Sequence, residues 1–169
     1  MEEGFKLEQV AIRLVPEADV WDAEPIRSPE RAVEVLGKYI RDMDREAVCV
    51  VNFNARLQPI NFQIVSIGTL DRALCEPREL LKAGILSNAS SMMILHNHPA
   101  GSIAPSGCDI QMTERMEKVC ELVGIPLMDS IIVGFGREDY FSFRDASMLV
   151  EENQQIDRAA EERSGRAGR

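Results

Sequence analysis

Apolar residues recur along the chain in short runs and at helical spacing, and they predict strands interleaved with helices. Ala47–Phe53 and Met92–Leu95 are short apolar runs that predict buried strands. Asn61–Ile67 follows the first run after a polar turn and predicts the returning strand of a hairpin. Ser130–Val133 and Tyr140–Phe143 add two short strands. This order predicts an α/β fold in which helices flank a mixed central sheet.

Three segments begin with a capping residue or a proline and then carry apolar residues at helical spacing. Ser28 and Ser106 are predicted N-caps, and Gly124 is a predicted C-cap. The predicted helices are Pro29 to about Asp42, Pro77 to about Asn88, and Gly107–Val123.

The two ends of the chain differ from its middle. Leu7–Val15 alternates apolar and polar residues and predicts a strand. Residues 151–169 are rich in charged and small residues without an apolar stripe, which predicts a frayed helix passing into a disordered tail. We therefore expect an extension of one strand and one helix at 1–43, a domain at 44–150, and a tail at 151–169.

Composition and charge limit the classes of protein to consider. The chain has 169 residues, of which 45% are apolar and 28% charged, and these values are ordinary for one globular domain. Its net charge of −9 argues against a broad electrostatic grip on nucleic acid. No apolar stretch approaches the roughly 18 residues of a membrane span. The four cysteines are scattered and no signal peptide is evident, which predicts reduced thiols in a cytoplasmic protein.

The chemistry of the sequence is concentrated after the second buried run, where both histidines lie. His96 and His98 are two residues apart on a predicted strand, so their side chains point to the same face. Asp109 lies in the first turn of the next predicted helix, across a Pro/Gly-rich loop. Taken singly, Asp109 suits a helix start and Ser106 a cap. Together, two imidazoles and one carboxylate predict a three-ligand zinc site with an open position, which is the catalytic kind.

The same residues resemble a known motif. His96-Asn97-His98-Pro99, followed by Ser106 and Asp109, resembles the JAMM motif of JAB/MPN metalloproteases in the form found in RadC-like JAB domains. The resemblance covers about residues 44–148 and implies a JAB/MPN sandwich, which is cytidine-deaminase-like, a Zn²⁺ cofactor and hydrolysis of an amide bond. It also implies that Ser106 stabilises the tetrahedral intermediate. Further similar segments are Gly68-Thr69-Leu70, Pro77–Leu80, Asn88-Ala89 and Asp129–Gly134.

The general base that the resemblance implies is a glutamate near the start of a central strand. Glu46 directly precedes Ala47–Phe53 and is our candidate, although it could also be a solvated residue of a charged turn. Gln63 occupies a second position where relatives carry an acid, and an amide cannot accept the proton there. Glu76 and Glu79 are lesser candidates. Cys108 precedes Asp109 and is a lesser candidate for a ligand, since the family pattern uses none there.

These expectations lead to one main function and two alternatives. The main one is a zinc-dependent metallohydrolase that cleaves a peptide or isopeptide bond in a peptide or protein substrate. The first alternative is a catalytically inactive binding module of JAB fold. The second is an accessory role in DNA repair or mobile-element biology, as the family label suggests, although no basic face supports it.

Between the two histidines, Asn97 points to the opposite face of the predicted strand and is expected to pack or to support the ligands. The oligomeric state stays open.

Overall fold

The computed structural model describes residues 24–68, 76–135 and 139–149, with scattered positions between 7 and 22. The tail predicted at 151–169 lies outside the described residues. Among the described helices, none combines the length and the apolar character of a membrane span. The elements in chain order are helix α1 (Pro29–Leu36), a 3₁₀ helix (Gly37–Tyr39), strands β1 (Ala47–Phe53) and β2 (Pro59–Ile67), helix α2 (Pro77–Leu86), strand β3 (Ser91–His98), helix α3 (Gly107–Val123), and strands β4 (Leu127–Gly134) and β5 (Tyr140–Ser142).

The strands form one mixed five-stranded sheet in the order β2-β1-β3-β4-β5. Strand β1 is antiparallel to both β2 and β3, whereas β3 and β4 are parallel. Helices flank this sheet, so the predicted α/β class is confirmed and is consistent with the JAB/MPN fold. Strand β3, which carries both histidines, is the central strand and has a hydrogen-bonded neighbour on each side.

Two apolar cores lie on the two faces of the sheet. One face is covered by α1, whose buried residues pack against Val51, Leu95 and other odd-numbered residues of β1 and β3. The other face is covered by α2 and α3, which pack against Val50, Ile94 and other even-numbered residues. Because side chains alternate along a strand, the histidines of β3 share the face of α2 and α3, while Asn97 lies on the face of α1.

The strand predicted at Leu7–Val15 is wrong for the described residues of that stretch, which form no strand. Leu7, Val10 and Val15 are 83%, 80% and 79% exposed, so these three side chains do not pack against the sheet. Alternation alone cannot make a strand without a partner. The first helix also ends earlier than predicted, because the chain tightens into the 3₁₀ turn after Leu36. Helix α1 shares one core with the sheet, and the domain boundary at 43/44 stays a prediction.

Candidate metal centre

The candidate metal centre lies where β3 ends and α3 begins. His96 and His98 project from the last residues of β3 toward α3, and the side chain of His96 is only 5% exposed. Ser106 caps α3 as predicted, since its Oγ accepts a hydrogen bond from the Asp109 N–H at 3.2 Å. The Asp109 carboxylate in turn accepts the Ser106 N–H at 2.7 Å. This reciprocal capping box fixes the carboxylate at the mouth of the loop.

The three predicted ligands lie together. Asp109 is placed between the two imidazoles: its Oδ1 is 3.3 Å from His96 Nε2, and its Oδ2 is 3.4 Å from His98 Nε2. One ligand atom from each residue lies within 4.8 Å of the other two, so the cluster could hold a metal ion. Cys108 is exposed and is not a member of this cluster.

The hydrogen bonding of the two histidines suits a cation between them. Within the described part of the chain, neither ring nitrogen of buried His96 makes a well-aligned hydrogen bond, and Nε2 instead faces Asp109 Oδ1 at 3.3 Å. A buried polar group without a partner is costly, and a metal ion would satisfy it. His98 Nδ1 lies 2.7 Å from the carbonyl oxygen of Ser102 and can only donate to it. This bond leaves the Nε2 lone pair of neutral His98 facing the Asp109 carboxylate, so a proton or a metal ion must lie between them.

Electrostatics agree with this geometry. The Asp109 carboxylate raises the pKa of His98, and the carbonyl of Ser102 adds to the effect despite partial burial. Burial works to raise the pKa of Asp109, but the two histidines and Ser106 outweigh it and hold that pKa well below its usual range. Asp109 is therefore an ionised carboxylate at neutral pH, the form that binds a metal.

The loop after His98 packs closely against the end of β4 at Gly134. Gly134 is paired with His98 in the parallel register. A Cβ at this position would lie 3.2 Å from Ile103 Cγ2 and 3.3 Å from the carbonyl oxygen of Asp139. The absence of a side chain at residue 134 thus suits the close approach of this loop, which also carries the Ser102 carbonyl that lies 2.7 Å from His98 Nδ1.

Glu46 lies on the same side of the sheet as the ligands. Strands β1 and β3 are antiparallel with Val48 opposite His96, and extending this register by two residues places Glu46 opposite His98. Opposed residues of an antiparallel pair share a face, so Glu46 and both histidines do. The negative charge of Glu46 accordingly contributes to raising the pKa of His98. Glu46 is half-buried, and its carbonyl oxygen accepts the Gly68 N–H at 2.7 Å.

Comparison with known families agrees with this site and fold. The model of the RadC-like JAB domain matches residues 26–148. The chain belongs to the RadC-like JAB domain family. This JAB domain is also similar to curated relatives that are each named only UPF0758 protein. The relative from Streptococcus sanguinis is 30% identical over 138 residues, which are 82% of this chain and 60% of that relative. The relative from Streptococcus gordonii is 33% identical over 136 residues, which are 80% of this chain and 59% of that relative. That of Chlorobaculum parvum is 37% identical over 124 residues, 73% of this chain and 55% of its own. The chain thus spans less than two thirds of the length of these relatives.

The alternative positions for a base in this JAB domain have other surroundings. Gln63 lies on the edge strand β2 opposite Val50, so β1 separates it from the ligand strand. Glu76 forms an exposed ion pair with Arg115, and Glu79 forms one with Lys82. Of the four positions considered, Glu46 is the one that the strand register brings to the ligands.

Two contributors to the site were not predicted from the sequence. The carbonyl of Ser102, which orients His98, belongs to the backbone and has no signature in residue type. Gly134 ends an apolar run, but its role depends on a loop some thirty residues earlier packing on it, and periodicity does not report such a contact.

Proposed function

We propose that this JAB domain is a zinc-dependent metallohydrolase of the JAMM type that cleaves a peptide or isopeptide bond in a peptide or protein substrate. The observation that supports the proposal most is the His96–His98–Asp109 cluster, whose ligand atoms lie within 4.8 Å of one another. Two imidazoles and one carboxylate form a ligand set of catalytic zinc, and the buried His96 Nε2, which faces Asp109 without a well-aligned hydrogen bond, fits it.

In this proposal the side chains around the metal have separate roles in hydrolysis. Zinc held by the three ligands supplies Lewis acidity and lowers the pKa of water to about 7. Glu46, on the same face as the ligands, takes the proton of the attacking water and returns it to the leaving amine. The Ser106 oxygen already accepts the Asp109 N–H, which leaves its hydroxyl proton to be donated to the developing oxyanion.

Metal content tests the ligands. We expect about one zinc per chain in the wild-type protein and none in His98→Ala, measured by elemental analysis on proteins purified side by side. A wild-type protein that takes up no zinc, even when zinc is supplied, would contradict the proposal. That result would favour the non-catalytic binding module.

Hydrolysis tests the base separately, because Glu46 is not a ligand in this assignment. Glu46→Gln should keep zinc and lose hydrolysis of a panel of fluorogenic peptides and lysine isopeptides, since an amide accepts no proton near neutral pH. Glu76→Gln is the matched control, because it neutralises an exposed carboxylate that pairs with Arg115. Equal rates for Glu46→Gln and the control would refute the assignment of the base.

The cellular setting belongs to the same proposal. Cys49, Cys108 and Cys120 are free thiols among the described residues, which suits a reducing compartment such as the cytoplasm. The acidic net charge of −9 supports a peptide or protein substrate over nucleic acid. Binding to DNA at physiological salt would favour the accessory role in DNA repair instead.

A further inference from the structure

The side chain of Asn97 joins β3 to the segment that carries Glu46. Its Oδ1 accepts a hydrogen bond from the Ala47 N–H at 2.6 Å. Its Nδ2 donates to the carbonyl oxygen of Arg45 at 3.2 Å and to that of Met43 at 3.4 Å. Asn97 is completely buried, and its bond to the Ala47 N–H is buried with it, away from competition by water.

These contacts fall on both peptide bonds of Glu46. The carbonyl of Arg45 belongs to the peptide bond that precedes Glu46, and the N–H of Ala47 belongs to the one that follows it. Holding both peptide planes restrains the two backbone dihedral angles of Glu46 and hence the direction of its Cα–Cβ bond. The N–H of Gly68 donates a hydrogen bond to the carbonyl oxygen of Glu46 itself at 2.7 Å.

We propose that Asn97 is a positioning residue that aims the Glu46 carboxylate at the metal site from the opposite face of the sheet. The inference rests on the proposed function, because it assigns to Glu46 the role of base. Asn97 is also the residue between His96 and His98 in the chain, so its backbone is joined to both. One residue of the central strand therefore fixes the base relative to two metal ligands without touching the substrate.

An amide is suited to this position because it offers a donor and an acceptor side by side. Leucine would offer neither, and aspartate would set a carboxylate against two carbonyl oxygens. A smaller apolar residue would remove the partner of three backbone groups, of which the Ala47 N–H is buried. Replacing Asn97 should therefore loosen the backbone of residues 43–47 and change the orientation of the Glu46 side chain, while His96, His98 and Asp109 keep their positions.

Amide hydrogen exchange and kinetics on four proteins test this inference. They are the wild type, Asn97→Ala, Asn97→Ser as a variant that leaves a smaller cavity, and Asn52→Ala as the matched control. Asn52 is also an asparagine that is completely buried in the same sheet, but its Nδ2 bonds Asn61 at 2.7 Å, away from the site. For each protein we would measure exchange of the Ala47 amide by NMR, zinc per chain, and kcat and KM on the fluorogenic panel.

We expect the Asn97 variants to keep zinc while the Ala47 amide exchanges about tenfold to a hundredfold faster than in the wild type. Their kcat should fall by about a hundredfold at nearly constant KM, as for a base misplaced by about 1 Å. The control should lose stability without either change. Unchanged Ala47 exchange, or unchanged kcat with faster exchange, would overturn the inference. If the wild type itself hydrolyses nothing, the catalytic half falls with the proposed function, and Ala47 exchange still decides whether Asn97 holds the Glu46 backbone.

Discussion

Whether replacing Gly84 by alanine raises or lowers the free energy of unfolding should depend on one neighbouring side chain, that of Asn52. Gly84 lies in α2, where the helix crosses the face of β1. A Cβ on Gly84 would be 2.8 Å from Asn52 Oδ1, a separation that Cβ contacts do not show. The Asn52 side chain is completely buried and its Oδ1 has no hydrogen-bond partner among the described residues, so little space exists for it to retreat.

Two opposing effects set the magnitude. Alanine is better than glycine in a helix by about 1 kcal/mol, and this gain applies in any background. Overpacking a buried position costs about 1–3 kcal/mol, and here the cost depends on the Asn52 oxygen. We therefore expect Gly84→Ala to lower the free energy of unfolding by up to about 2 kcal/mol in the wild type. In Asn52→Ala the next contact is Ile125 Cδ1 at 3.8 Å, an ordinary distance, so the same change should stabilise.

Urea denaturation of the four proteins of this double-mutant cycle measures the effect. The coupling energy between positions 52 and 84 should be about 1–3 kcal/mol, with opposite signs for Gly84→Ala in the two backgrounds. If Gly84→Ala stabilises by about 1 kcal/mol in both backgrounds, the close approach of α2 to β1 is not what requires the glycine, and the reasoning fails.

Three further predictions concern the surroundings of the site. Ser106→Ala removes the cap of α3 and should lower the free energy of unfolding by about 1 kcal/mol in urea; an unchanged midpoint would contradict the role of the cap. Gly134→Ala should press on the loop that orients His98 and weaken zinc binding by about tenfold in chelator competition, whereas unaltered affinity would show that the loop adapts. Iodoacetamide should label exposed Cys108 and spare Cys49 in the folded protein, because burial raises the pKa of the Cys49 thiol to about 12; peptide mapping distinguishes the two.

The elements around the ligands could be predicted because their signals are local. The capping serine and the terminal glycine of α3 lie within one turn of the helix they bound, and the structure has the helix at Gly107–Val123 with Gly124 in the left-handed conformation, φ 76°. The H-x-H spacing defines a common face as soon as β3 is a strand. Predictions of this kind need no knowledge of what packs against the element.

The prediction of a strand at residues 7–15 was wrong because a strand depends on a partner that is distant in sequence. Residues 7–15 alternate as well as many strands do, yet Val10 is 80% exposed in the structure. A strand is stabilised by its neighbour, and the sequence of one segment does not say whether a sheet edge is open to receive it. The same limit explains why Glu46 could be suggested but not located, since its position opposite His98 follows from the pairing of β1 with β3.

The central position of β3 connects these observations. Because β1 is antiparallel to β3, the start of β1 lies beside the end of β3, and the extended register places a residue just before β1 near the candidate ligands. Asn97 uses the other face of the same strand end to bind the backbone around Glu46, about fifty residues earlier in the chain. Substitution of Asn97 should therefore disturb the proposed base Glu46, and substitution of His96 or His98 the candidate metal site. The two faces of the end of β3 therefore have different proposed roles, support of Glu46 on one face and metal binding on the other, although the residues concerned are adjacent in sequence.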